Sequence, residues 1–100
     1  MPDQPPPAHK DAVEAPPWDP ARKPGPRITT YDRLTRPRLR IRVDGVWRDA
    51  RVQQRQDWPD GRIRVQCEVY LPIEGGYMSW LVRGYWWDTA AMRPVRPRPR

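Results

Sequence analysis

The segment Arg62–Leu71, RIRVQCEVYL, alternates Ile63, Val65, Cys67, Val69 and Leu71 with Arg62, Arg64, Gln66, Glu68 and Tyr70. Unbroken period two over this length predicts a β-strand with one apolar face. The same rhythm occurs upstream in residues 36–43, RPRLRIRV, where Leu39, Ile41 and Val43 are expected inward and Arg38, Arg40 and Arg42 outward. Asp44-Gly45 then supplies a two-residue hairpin turn, because Asp-Gly tolerates the positive φ of a type I′ turn. The following strand runs from Val46 to about Arg55, with Val46, Ala50 and Val52 on one face. Trp47 falls on the other face, so either a bulge re-aims it or it remains at the surface.

Pro59-Asp60-Gly61 is a turn signal leading into the central strand, and Pro72 to Gly76 is the next turn. In residues 77–87, YMSWLVRGYWW, the alternation assigns Met78, Trp80 and Val82 to the core and Tyr77, Ser79, Leu81 and Arg83 to the opposite face, with Gly84 permitting a kink. Asp88 to Ala91 reads as a capped helical turn and Met92 to Val95 as a short closing strand. The pattern therefore predicts an all-β domain of about five strands with one helical turn before the last.

Outside these segments the pattern fails. Residues 1–27 hold only Val13 and Trp18 as sizeable apolar groups among nine prolines. Proline fixes φ and removes an amide donor, so this leader is expected to be a disordered, partly polyproline-II tether. Residues 28–36 form a lead-in in which Ile28, Tyr31 or Leu34 packs on the domain, with Thr30 capping a short helical turn. The domain proper is 37–95, and residues 96–100 form an extended Arg/Pro tail.

Composition narrows the chemistry. The chain has 100 residues, 19 basic and 12 acidic, a net charge of +7, and 17 of its basic residues are arginine. Arginine pairs with phosphate in bidentate fashion and stacks on flat rings, which directs attention to nucleic acid; an Arg-rich composition also accompanies GC-rich coding. One cysteine and one histidine are too few for a structural zinc site, and neither a metal nor a cofactor is expected. His9 stands alone in the leader, Gly75-Gly76 is too short for a phosphate loop, and Asp57 and Asp60 flank a turn, so catalysis is not expected. No apolar run approaches a membrane span or a secretory signal, and a cytoplasmic location without membrane attachment is the expectation.

The phrase VDGVWRDARVQQRQDWPDGRIRVQCEVY is similar to Tudor-type sequences, in which an aromatic opens the second strand, Ala and Val follow, and an Asp-Gly turn precedes the third. The ending WWDTAAMRPV is similar to the closing turn and strand of SH3-like barrels, and to the ends of small uncharacterised proteins from high-GC bacteria. The resemblance implies a small SH3-like barrel over residues 37–95 and a bacterial source. Tudor-like modules hold methylated cations in aromatic cages, and by position Trp47 would be a wall, with Tyr70 or Trp58 near it. The resemblance does not identify the full set of cage aromatics or the acidic partner, so what it carries over is the fold.

Two binding roles follow. In the first, Arg38, Arg40, Arg42, Arg62 and Arg64 with Arg96, Arg98 and Arg100 contact the phosphates of DNA or RNA, the tail arginines having no acidic residue after Asp88 to neutralise them. In the second, Trp47, Trp58, Tyr70 and Trp86 form an exposed patch for a protein or peptide partner. Trp80 is assigned to the core, together with one of Trp86 or Trp87.

Overall fold

The structure is a computed structural model and describes residues 9–96. It is all-β, an antiparallel sheet of six strands: β1 Arg27–Thr30, β2 Arg38–Val43, β3 Val46–Asp57, β4 Ile63–Pro72, β5 Met78–Trp86 and β6 Met92–Pro94. The sheet order is β5-β4-β3-β2-β6, and β1 pairs with the C-terminal part of β3. The alternation of β2 and β4 is realised as read. Leu39 and Ile41 from β2, and Val65, Cys67, Val69 and Leu71 from β4, join Ala50, Val52, Tyr85, Ala91 and Met92 in one buried cluster. Asp44 and Gly45 take the positive φ values of 50° and 77° that the tight β2–β3 turn demands.

Several elements depart from expectation. The lead-in helical turn is instead β1. Its residues are β-branched or long, and the exposed edge of β3 beyond Ala50 offers them a ladder, with Thr30 opposite Gln54 and Arg27 opposite Asp57. Leu34 packs on nothing and is 98% exposed. β3 runs to Asp57, and its irregularity lies between Val52 and Gln54 rather than at Trp47. Residues 88–91 form a hydrogen-bonded turn, with Asp88 Oδ1 accepting from Ala90 N at 2.9 Å, and no helix. Among the described residues the single 3-10 turn is Glu74–Gly76, between β4 and β5.

The facing of β5 is inverted. Met78, Trp80 and Val82 are the exposed side, while Tyr85 is buried and Leu81 packs against the core. Register explains it: Leu81 lies opposite the fully buried Val69 and Trp80 opposite Tyr70, so Trp80 is carried to the outer side.

The leader also differs from the disordered tether expected. Ala12 N donates to Arg42 O at 2.8 Å, Ala15 N to Gly84 O at 2.8 Å, and Trp86 N to Val13 O at 3.0 Å. Glu14 bridges Tyr85, and Ala15 is buried. Residues 10–15 thus run from the β2 side of the sheet to the otherwise free edge of β5. Proline blocks donation only at its own nitrogen, and none of residues 10–15 is proline. Residues 1–8, the first part of the leader, lie outside the described residues.

Candidate nucleic-acid interface

The outer face of the sheet is built by the strands that bury Leu39, Ala50 and Val69 on the inner one. Leu39 pairs with Ala50 and Ala50 with Val69, so the flanking residues of each strand point away from the core together. Arg38 is opposite Arg51, Arg40 is opposite both Asp49 and Arg93, and Arg42 is opposite Trp47. Arg51 is opposite Glu68, Glu68 opposite Val82, and Tyr70 opposite Trp80. Five arginines from β2, β3 and β6 therefore share a face with Trp47, Tyr70 and Trp80.

The rings on this face are held by arginine. The Arg51 guanidinium lies 4.7 Å from the Trp80 ring centroid, reaching across β4, and Tyr70 packs on Trp80 with centroids 5.1 Å apart. At the other end Arg93 lies 4.2 Å over Trp47, which also takes His9 edge-on at 5.3 Å. Each stack fixes a ring while leaving part of it in solvent, with Tyr70 and Trp80 37% and 40% exposed.

Acidic groups on this face are already engaged. Glu68 accepts from Arg36 Nη1 at 2.6 Å and from Gln53 Nε2 at 2.9 Å. The Gln53 bond and then Arg36 hold its carboxyl below the ordinary carboxylate value. Asp49 sits 3.7 Å from Arg40 Nε, and Asp11 of the leader 3.5 Å from Arg42 Nε while accepting from Gly45 N at 2.9 Å. Among the described residues Arg38 and Arg51 have no carboxylate within 4 Å. A phosphate meets least competition there.

The residues expected to contact phosphate are thus divided. Arg38, Arg40 and Arg42 lie together on the outer face. Arg62 lies at the far end of β4, paired with Asp60 at 2.7 Å and 4.2 Å over the Trp86 ring. Arg64 is not on a free surface: it is 3% exposed, covered by the leader and Gly84, and burial lowers its pKa. Its position opposite Trp86 at the β5 edge, where the leader crosses, accounts for the burial. Arg96 is exposed, and Arg98 and Arg100 lie outside the described residues.

The expected aromatic patch is likewise divided. Trp47 and Tyr70 belong to two separate stacks on the outer face. Trp58 and Trp86 meet edge-to-face at 6.5 Å and line a cavity of about 380 Å³ with Trp18, Pro16 and Arg62. The buried indole Nε1 atoms of Trp18 and Trp58 have no hydrogen-bond partner among the described residues.

Arg51 and Trp80 were absent from the expected set. Arg51 is legible once Ala50 and Val52 are turned inward, whereas the reversal at Trp80 leaves no mark in the local pattern. No protein-family model, no curated protein and no solved structure matches this chain.

Proposed function

We propose that this chain is a non-enzymatic binding module of small SH3-like barrel type that takes single-stranded DNA or RNA across the outer face of β2 to β6. The observation that carries the reading is the convergence of Arg38, Arg40, Arg42, Arg51 and Arg93 with Trp47, Tyr70 and Trp80 on one sheet face. Guanidinium groups follow the backbone of a strand, and part-exposed rings offer faces on which unpaired bases stack. Bases paired in a duplex have no free face, which favours a single strand over a double one. Arg96, exposed shortly after β6, adds to the positive charge.

Titration of labelled single-stranded DNA and RNA against salt tests this. Three to five phosphate contacts give a log–log slope of about −2 to −3.5, at roughly −0.7 per contact for single strands. Removing both Arg38 and Arg51 as alanines is expected to flatten that slope. Trp80→Ala is expected to weaken affinity by about 1–3 kcal/mol, the usual worth of one base–aromatic stack. No binding at about 50 mM salt, or a slope that the double variant leaves unchanged, overturns the proposal.

A second reading has its own observation. Residues 78–82 of β5 lie beyond the stretch that the leader covers, and Met78, Val82, Tyr77 and Ile73 are exposed around Trp80. A sheet edge flanked by apolar side chains suits an added strand from a protein partner. Retention of a nuclease-insensitive protein partner that Val82→Lys abolishes would favour this reading over nucleic acid.

A further inference from the structure

Arg64 presents a charge imbalance that the rest of the fold does not resolve. Its guanidinium is 3% exposed, and no carboxylate approaches it within 4 Å among the described residues. Its one hydrogen bond there is a long one, from Nε to Ala15 O at 3.4 Å. A buried arginine ordinarily has a carboxylate or several strong acceptors, because five N–H donors and a full charge are costly to remove from water. Packing around it is specific: any side chain at Gly84 would overlap the guanidinium, so glycine provides the space it fills.

Beside Arg64 lies a cavity of about 280 Å³ lined by Gln66, Arg83, Gly84, Ala15 and Glu14. It adjoins the Trp18–Trp58–Trp86 cavity at Pro17, which lines both. Arg64, Arg83 and Gln66 line it, with Gln66 Nε2 donating to Gln53 Oε1 at 3.4 Å and Arg83 Nη1 to Val82 O at 2.9 Å, and the one carboxylate, Glu14, is 67% exposed at its side chain and 3.5 Å from Arg83 Nε. Glu14 reaches in from the leader and neutralises Arg83 alone.

We propose that the cavity beneath the leader is an oxyanion site for a phosphate group, held by Arg64 with Arg83 and Gln66, and that the Glu14 carboxylate competes with the anion there. Phosphate carries several acceptor oxygens and matches the planar donor fork of arginine, so it satisfies the Arg64 Nη donors, which have no partner among the described residues, and draws on Arg83 and Gln66 beside them. Glycine at position 84 leaves the room in which the guanidinium lies, at the wall of the cavity. The phosphate is either free inorganic phosphate or the terminal phosphate of a nucleic-acid strand.

The test is thermal unfolding of the full chain in increasing inorganic phosphate at constant ionic strength, with chloride as the control. Phosphate is expected to raise the midpoint saturably, since a ligand that binds only the folded state stabilises it. Glu14→Gln removes the competing charge from an exposed position and is expected to lower the half-saturating concentration several-fold. Arg83→Gln is expected to raise it several-fold, and Arg64→Gln to abolish saturation. If Arg64→Gln does not fold, the opposite shifts of the other two variants decide the matter. A phosphate response equal to that of chloride overturns the site, as does a half-saturation that Glu14→Gln leaves unchanged.

Oligonucleotides with and without a 5′-phosphate identify the source. Tighter binding of the phosphorylated strand, lost in Arg83→Gln, assigns the strand terminus; equal binding, with the inorganic phosphate response intact, assigns free phosphate. Because the titration contains no nucleic acid, its failure is distinct from failure of the outer-face reading.

Discussion

Gly84→Ala probes how tightly Arg64 is built into the sheet. The backbone at Gly84 is outside the left-handed region, so alanine itself is tolerated by the main chain. A methyl group there instead overlaps Cζ and Nη2 of Arg64 and comes within 2.8 Å of its Nε. The guanidinium must leave, losing its packing and the bond to Ala15 O. Forced overpacking costs about 1–3 kcal/mol, from which the smaller unfolded-state entropy of alanine returns about 0.4–1 kcal/mol. The net expected destabilisation is about 1–2 kcal/mol. In an Arg64→Ala background the obstacle is gone, and Gly84→Ala is expected to be neutral or stabilising by about 0.4–1 kcal/mol. Urea unfolding of the four proteins, followed by tryptophan fluorescence, measures the coupling, expected at about 1.5–3 kcal/mol. Two substitutions that add within about 0.5 kcal/mol would refute the claim that Gly84 exists to seat Arg64.

Cys67 lies at the centre of the core with no exposure, and burial pushes its thiol up to about 12, so at pH 8 it is expected to resist thiol reagents until urea unfolds the chain. Labelling of native protein at the rate of a free thiol contradicts this. Glu68, with its carboxyl held down by Gln53 and Arg36, contributes stability that is full above its ordinary value of 4.5 and is lost as pH falls through the lowered folded value. Thermal midpoints recorded downward from pH 5 should therefore fall less steeply in Glu68→Gln than in the parent. Deleting residues 1–18 removes the backbone bonds of Lys10, Ala12, Ala15 and Trp86 to their partners, and at about 0.5–1.5 kcal/mol each the expected loss is about 2–6 kcal/mol. An unchanged urea midpoint in the shortened chain would mean that the leader contributes nothing to the sheet.

The strands with one apolar face were legible because their pattern admits one orientation. β2 and β4 place aliphatic residues at every second position and polar ones between, and a one-residue slip would bury arginine, so register and facing follow from the sequence. β5 admits both orientations. Met78, Trp80 and Val82 on one side and Leu81 and Tyr85 on the other are all apolar, and choosing by size puts Trp80 inside. Pairing decides against size: β4 is already oriented by Val69 and Cys67, so the residues of β5 opposite them, Leu81 and Arg83, must face the same way. Arg83 lies opposite Cys67 at the sheet's edge and escapes the core toward Glu14.

Arg64 and the leader were misread for one shared reason. The alternation assigns Arg64 to the side away from the core, which is correct, but that side is equated with solvent only if nothing crosses it. What crosses it is a segment whose composition argues against structure. Yet the requirement at an edge is weaker than in a central strand: alternate residues suffice, and Val13, whose carbonyl accepts from Trp86 N, and Ala15, whose amide donates to Gly84 O, supply the bonds before Pro16 ends the pairing. A Pro-rich sequence therefore excludes a central strand without excluding edge addition, and Ala15 is small enough to lie over Gly84 and Arg64. The outer face is in consequence two surfaces. One end, from Arg38 to Trp80, is exposed, while the other, at Arg64, is roofed by the chain's own leader and borders the cavity beside Glu14.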